Sequence, residues 1–324
     1  MSKKISVAIL SYYSGSVSRG VETFVTEITR CLKSKFSLTV YSKKKDSKLT
    51  IKQFSQQTLR LLANNPPDIL MPLNNGWMSW LSKLFCLKFH KKIILAGFAG
   101  IGLIDRFNLW LFPDRFICCT QAQATWAKTI NPLAKLAVIN LGVDTNRFSP
   151  EGKKFPLSLI SPVVLCVAGP ESYKRVNLAI QAVAQFGQVS LLVVGKQTEA
   201  TNSLGKKLLG NRYQNLLVNY SQLDQVYRSC QLFTLPSAAT EAYGITILEA
   251  MASGLPVIVN NDPIRRELVG SAGTLIDPVD LDRYVEAIRV NLNRKNNLSR
   301  QQALKFSWDE ISRQYQKLWQ SLAG

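Results

Sequence analysis

The 324-residue sequence has one histidine, His90, and no CxxC pair among its six cysteines. A single imidazole excludes multi-histidine metal sites and most Ser-His-Asp arrangements. Cys31, Cys86, Cys118, Cys119, Cys166 and Cys230 sit mostly in apolar runs and read as buried, reduced thiols, not as metal ligands or a disulfide framework. No uncharged stretch reaches the roughly 18–20 apolar residues of a spanning helix; the best, 93–104, is closed by Asp105 and Arg106. The start, Met-Ser-Lys-Lys before a short apolar run, has neither a long apolar core nor a small-residue cleavage site. It predicts no signal peptide and a cytoplasmic protein. Glycine and proline are few, 18 and 13, with no low-complexity tract and no solenoid-period repeat. At 46 % hydrophobic and 19 % charged residues, the chain is long and apolar enough to fold around two cores.

Acidic residues are also scarce. The net charge is +19, and it is uneven: residues 1–150 carry 21 Lys/Arg against 7 Asp/Glu, residues 151–324 carry 19 against 14. A basic half attracts anions, whether nucleic acid, an acidic membrane or a phosphorylated substrate. The lysines of this half are scattered over several elements, and no helix-turn-helix, zinc or RNA-binding motif accompanies them. Nucleic acid is therefore not expected as a partner. The densest run, Ser42 to Lys48, reads as a solvated loop.

What is present is an alternation of short apolar runs with helix-period stretches. In the first half, strands are expected at 5–11, 36–41, 68–71, 93–96, 116–120 and 138–141, with helices at 20–31, 51–63 and 77–89. The stretch 142–162 is polar and proline-punctuated, and reads as a linker. Beyond it strands are expected at 163–167, 189–194, 216–219, 232–235 and 257–259. Helices are expected at 175–186, near 204–209, and at 223–228, 246–252, 281–292 and 307–322. This rhythm predicts an α/β protein of two doubly wound parallel sheets, with ligands outside the carboxyl ends of the strands. The domains expected are 1–150 and 151–306, followed by a last helix over 307–324.

The segment from Leu235 to Asn260, LPSAATEAYGITILEAMASGLPVIVN, holds the densest chemistry. A strand ends at Pro236, a small-residue loop follows, and Gly244 allows a tight turn into a helix. The amides of Gly244, Ile245 and Thr246 then point from a helix N-terminus, a site suited to a diphosphate, with Glu241 and Glu249 flanking it. The same residues also fit a capping box, with Thr246 near the N-cap and Glu249 three residues on, and Glu241 an ordinary loop carboxylate. Spacing leaves both readings open.

Glu241 through Glu249 is E-x7-E, and its extension EAYGITILEAMASGLPVIV resembles the donor-site signature of retaining GT-B glycosyltransferases, glycosyltransferase family 4 in particular. Ser18 to Glu22 resembles the family's glycine-rich loop, Val138 to Phe148 its signature before the linker, and Tyr173 to Ala182 the opening helix of its donor domain. Glu267 to Pro278 and Phe306-Ser-Trp308 complete the set. The resemblance implies two Rossmann-like domains facing a central cleft, the first binding an acceptor and the second a nucleotide-diphospho-sugar. The last helix would pack back on the first domain. It also implies transfer of a hexose-type sugar with retention, by front-face attack assisted by the leaving diphosphate.

Residue by residue, Glu241 would orient the donor sugar and Glu249 would bond the ribose. The Gly244, Ile245 and Thr246 amides and Lys174, with Arg175 adjacent, would hold the diphosphate. Lys174 and Glu241 are the expected catalytic pair. Gly20 belongs to the glycine-rich loop, and Arg19 would meet an anionic acceptor or the donor phosphates; as a bland alternative, Arg19 is a solvated helix-start residue. No Asp-x-Asp pair that would hold a metal accompanies these residues, so no metal and no cofactor are expected beyond the donor substrate. Two departures stand out. Gly169 occupies the position of a usual arginine, and no histidine lies near Phe98–Gly100, His90 being too early and read as an exposed helix end. These departures make a catalytically weakened, sugar-nucleotide-binding protein the alternative, and a GT-B epimerase or hydrolase a second one.

Two other features have readings of their own. The loop 15–20 lacks G-x-G-x-x-G spacing and a well-placed acidic residue after the second strand, which argues against a nicotinamide cofactor. The helix at 77–89 places Trp77, Trp80, Leu81 and Leu84 on one face with lysines at its end. It suits the surface of an anionic membrane, or a crossover helix packed on the sheet. The partners expected are therefore a nucleotide-sugar donor, an anionic or lipid-linked acceptor, and a membrane surface carrying it.

Overall fold

The computed structural model describes residues 4–14, 20–44, 46–74, 76–292 and 298–323. They form two compact units. One holds the chain up to Leu141 together with the last helix from Trp308; the other is Gly142–Ser307. The division thus falls nine residues before the 150/151 boundary expected from the sequence.

The first unit runs β1 (Ser6–Leu10), α1 (Gly20–Leu32), β2 (Ser37–Tyr41), α2 (Ile51–Leu62), β3 (Ile69–Pro72), α3 (Trp77–Lys88), β4 (Lys92–Ala96), α4 (Leu103–Trp110), β5 (Arg115–Cys118), α5 (Gln121–Ile130) and β6 (Leu136–Val138). Its six strands pair in parallel in the order β2-β1-β3-β4-β5-β6. Parallel strands are covered on both faces, so their sequences are near-continuous apolar runs, and every residue of β3 is buried. Thr50 caps α2 through a full capping box with Gln53, and Thr120 caps α5.

The second unit runs β7 (Val163–Val167), α6 (Val176–Ala184), β8 (Ser190–Val194), α7 (Glu199–Leu209), β9 (Tyr213–Leu216), α8 (Leu223–Ser229), β10 (Leu232–Leu235), α9 (Ile245–Ala252), β11 (Val257–Asn260), α10 (Pro263–Val269), β12 (Thr274–Ile276), α11 (Leu281–Leu292) and α12 (Leu298–Leu304). Its parallel order is β12-β11-β10-β7-β8-β9. The direction of winding reverses between β7 and β10, which leaves a crevice at their carboxyl ends.

Several boundaries differ from expectation. The strand expected at 216–219 is β9, three residues earlier; Leu217 is 75 % exposed and belongs to the exit loop. The strand expected at 138–141 is likewise β6, two residues earlier at its start. The stretch read as a linker is built into the second unit: the Val143 amide bonds the Phe306 carbonyl at 2.8 Å, Phe155 N bonds Gln225 O at 3.1 Å, and Phe148 is buried against Tyr227. Four helices, α4, α5, α10 and α12, lie where the sequence reading placed none.

The last helix, α13 (Trp308–Ala323), lies on α1 in the first unit. Trp308, Ile311, Tyr315, Trp319 and Leu322 form its buried stripe. Tyr315 meets Phe24 and Trp319 meets Phe36, with ring centroids 5.3 and 5.1 Å apart. Truncating Trp319 to alanine should therefore cost the first unit about 3–5 kcal/mol. In urea unfolding of Trp319→Ala, the transition of that unit should move to lower denaturant while the other stays in place; two unmoved transitions would contradict the packing described.

Candidate functional site

The chain leaves β7 and enters α6 through a short 3-10 turn, Ser172–Lys174. It leaves β10 and reaches α9 through residues 236–244. Both exits lie at the crevice where winding reverses, so they deliver side chains to one place. There Lys174 Nζ donates to Glu241 Oε2 at 2.5 Å, with the ammonium 5.3 Å from the centre of the Tyr173 ring. Although it lies on a loop, Glu241 is only 8 % exposed. Removing either partner strands a charge, which for a buried pair costs up to about 3–5 kcal/mol.

Two arginines hold the loop that carries Glu241. Arg175 adopts a left-handed backbone, φ 51°. Its Nε donates to Pro236 O at 2.7 Å, and its Nη2 to Ser237 O at 3.0 Å and Asn260 Oδ1 at 3.3 Å. Arg265, fully buried, donates from Nη1 to Glu241 O at 3.0 Å and to Asp262 Oδ1 at 3.3 Å, and from Nη2 to Ser237 Oγ at 3.2 Å. Burial pulls the pKa of this guanidinium down, against the opposing pull of the Asp262 and Glu241 carboxylates. The Ala238 amide is taken by Tyr173 O at 2.7 Å.

Gly244 is the N-cap of α9 at φ 90°, and a Cβ there would stand 2.9 Å from Ile247 Cδ1. The positive φ is what requires glycine, since the Ile247 methyl is the movable end of a side chain. No side chain caps the helix. The Ile247 amide bonds Gly244 O at 2.9 Å, while those of Ile245 and Thr246 have no partner among the described residues. The capping-box alternative is thus overturned: Thr246 is the second residue inside the helix, and Glu249 turns elsewhere.

Glu249 is buried and accepts from Tyr227 Oη at 2.9 Å and Tyr220 Oη at 3.2 Å. Burial raises its pKa to about 7, against the two phenols and the more distant Arg147, which lower it. Arg147 lies over the Tyr220 ring, 4.2 Å from its centre, and 4.9 Å from that of Phe148. Sequence reasoning missed Tyr220, Tyr227, Arg147 and Arg265. The tyrosines stand 29 and 22 positions from Glu249, where spacing carries no signal; Arg265, two residues past the Asp262-Pro263 helix start, was the more legible.

The remaining expected residues are dispersed. Gly20 opens α1 in the first unit, and Arg19 lies outside the described residues. At Gly169 the place of a Cβ is filled by Glu171 Oε2, 2.3 Å away. In the loop after β4, a Cβ at Gly97 would stand 2.3 Å from Gln123 Nε2, Phe98 packs on Phe24 at 4.9 Å, and Gly100 has φ 86°. His90, beyond the end of α3, is exposed. Among the described residues no group of three or more His, Cys, Asp or Glu side chains is placed to hold a metal ion.

Comparison with known proteins bears on this site. Residues 151–305 match the family model described as glycosyl transferases group 1. A D-inositol 3-phosphate glycosyltransferase of Mycolicibacterium smegmatis is 26 % identical over 218 residues, 60 % of this chain and 50 % of that protein. The O-antigen biosynthesis glycosyltransferase WclY of Escherichia coli is 23 % identical over 238 residues, 68 % of this chain and 65 % of its own. The chain thus spans half to two thirds of the length of these relatives. Among solved structures, sucrose-phosphate synthase from Thermosynechococcus elongatus aligns over 98 % of both chains at a TM-score of 0.81 and 17 % identity. Anabaena HepE in complex with UDP-glucose aligns over 97 % of this chain and 99 % of its own, at a TM-score of 0.75 and 18 % identity. The fold is GT-B.

The buried Glu249 yields a pH signature. Its pKa is raised on folding, so its contribution to stability is present below the ordinary glutamate range and is lost as pH rises to about 7. The loss amounts to roughly 1.4 kcal/mol per pH unit across that window. Glu249→Gln lacks this loss, and in urea unfolding at pH 5 and pH 8 the variant should gain on the wild type by about 2–3 kcal/mol toward the higher pH. A difference independent of pH would contradict the burial of an ionisable carboxyl.

Proposed function

We propose that this chain, whose residues 151–305 match the model of the glycosyl transferases group 1, belongs to that family and is a retaining glycosyltransferase that moves a hexose from a nucleoside-diphospho-sugar to an anionic or lipid-linked acceptor. The observation that carries this reading is the Lys174–Glu241 pair set at the winding reversal of the second sheet, beside the unpartnered amides that open α9. Lys174 and the Ile245 and Thr246 amides are suited to the diphosphate, a fixed set of donors aimed at charge that grows as the leaving group departs. With phosphate bound, Lys174 turns from Glu241 and frees that carboxylate to accept bonds from sugar hydroxyls. Glu249 accepts from the ribose in the same manner.

In the transfer itself, the acceptor oxygen bonds to the anomeric carbon while the bond from that carbon to the phosphate oxygen breaks. The acceptor's proton passes to the departing diphosphate on the same face, which keeps the anomeric configuration. The first unit's basic composition supports an anionic acceptor, as does the phosphorylated inositol in the name of the mycobacterial relative. A cytoplasmic setting, at a membrane that carries such an acceptor, fits the same reading.

A second reading, a sugar-nucleotide-binding protein with little turnover, is favoured by Gly169 and by a loop 97–100 without histidine. Epimerase or hydrolase chemistry would differ in needing no acceptor.

Thermal unfolding with UDP, GDP, ADP and dTDP separates these readings, UDP coming first because HepE holds UDP-glucose. A nucleotide at a hundred times its Kd stabilises by about 2.7 kcal/mol. One of the four should raise the melting temperature of the wild type and not of Lys174→Gln. Below pH 7 its affinity should fall by up to about tenfold per unit, a dependence lost in Glu249→Gln. Glu241→Gln should keep nucleotide binding and lose sugar transfer by at least about a hundredfold. Binding of none of the four would remove the donor-site reading. Binding without transfer to any phosphorylated or lipid-linked acceptor would favour the second.

A further inference from the structure

α4 is inside out. Its polar Asp105 and Asn108 are buried beside a single apolar residue, Leu109, while Leu103, Ile104, Phe107 and Trp110 face solvent with Arg106, Leu103 at 81 % and Trp110 at 54 % exposure. The inversion is built in. Asp105 accepts from Asn108 Nδ2 and from Gln123 Nε2, both at 3.4 Å, and Asn131 Nδ2 donates to Leu109 O at 2.9 Å. These bonds tie the polar side of α4 to α5 and leave its apolar side outward.

α3 adds a second apolar face. It buries Met78, Ser79, Ser82, Phe85 and Cys86 against the sheet, the crossover role, and exposes Trp77, Trp80, Leu84 and Leu87 at helical spacing. The two faces are continuous. Trp77, Trp80 and Phe107 line one open pocket of about 460 Å³ with Gly76, and Lys83 Nζ bonds Phe112 O at 2.6 Å beside Trp110. Monomeric soluble proteins rarely expose a contiguous apolar surface of this kind.

Its charge says what covers it. Between residues 76 and 112 the chain has five lysines and arginines, of which Lys91 and Lys92 pair with Asp68 and Asp114, while Lys83, Lys88 and Arg106 face no carboxylate partner among the described residues and Asp105 is buried. Lys52 adds another cation, its Nζ 4.2 Å from the centre of the Trp77 ring. A second copy would set this cationic surface against itself. Tryptophans at the level of lipid headgroups, with cations around them, instead match the interface of an anionic bilayer.

We propose that the α3–α4 face of the first unit docks on an anionic lipid bilayer, the aromatic and leucine side chains entering the headgroup region and the lysines meeting lipid phosphates. No donor-site residue takes part, so a failure of nucleotide binding leaves the docking face standing.

The test is flotation with phosphatidylcholine vesicles, with and without phosphatidylglycerol. The wild type should float with the anionic vesicles and be released by salt. Lys88→Gln and Arg106→Gln should each weaken partitioning roughly fivefold. Trp80→Glu combined with Phe107→Glu should abolish it while the variant still unfolds cooperatively, since Trp80 and Phe107 are 40 % and 45 % exposed and belong to no core. The proposal is overturned if the wild type stays behind with anionic vesicles, if it floats equally with neutral ones, or if the double variant floats as the wild type does. Dimerisation without lipid that the double variant loses would assign the face to a second copy and overturn it as well.

Discussion

A loop leaving a parallel sheet carries carbonyls that neither strand nor helix can satisfy, and burying them unpaired is costly. After β10 this constraint is met by two guanidinium groups. Arg175 takes the carbonyls of Pro236 and Ser237, and Arg265 takes that of Glu241. The position of the Glu241 carboxylate, its approach to Lys174 and the left-handed entry into α9 all follow from a backbone held this way. Burying Arg265 completely is itself unfavourable, and its Nε has no partner among the described residues. What offsets this is the set of acceptors around its two terminal nitrogens, each of which fixes part of the loop.

The sheet strands were legible because burial on both faces leaves them as plain apolar runs, as in Val163–Val167. The helix after Gly244 was legible for the same reason the site was: a glycine, a small-residue loop and two carboxylates lie within one contiguous segment. Reading failed where the signal was spread or reversed. Exposed Leu217 drew a strand beyond its end, because exposure is a property of the fold and not of the residue. α4 has its polar side chains inward, so the apolar pattern that marks a helix points the wrong way. Glu249 could be placed beside a helix start, yet its two phenol partners come from another element. Thr246 suggested a cap that a glycine provides.

The two units put ionisable groups to opposite uses. In the second, charge is concentrated in a few buried pairs and single groups, each with named partners: Lys174 with Glu241, Arg265 with Asp262, Glu249 between two tyrosines. In the first, cations outnumber carboxylates and lie chiefly at the surface, where they shape a field and fix little geometry. On the readings proposed above, one arrangement would select a small molecule by position and the other would gather an extended anionic surface by sign.

The first unit is closed by a helix made after the second unit. Its sheet and α1 come from the first 141 residues, but α13, which covers Phe24 and Phe36, comes from the final seventeen. During synthesis, the second unit is therefore a continuous segment that can condense as it emerges. The first must wait, with an aromatic surface open, until residues 308–323 have followed the second unit out. The unit whose sheet is translated earlier is thus completed after the other, and a truncation before residue 308 would spare the second unit and leave the first without its lid.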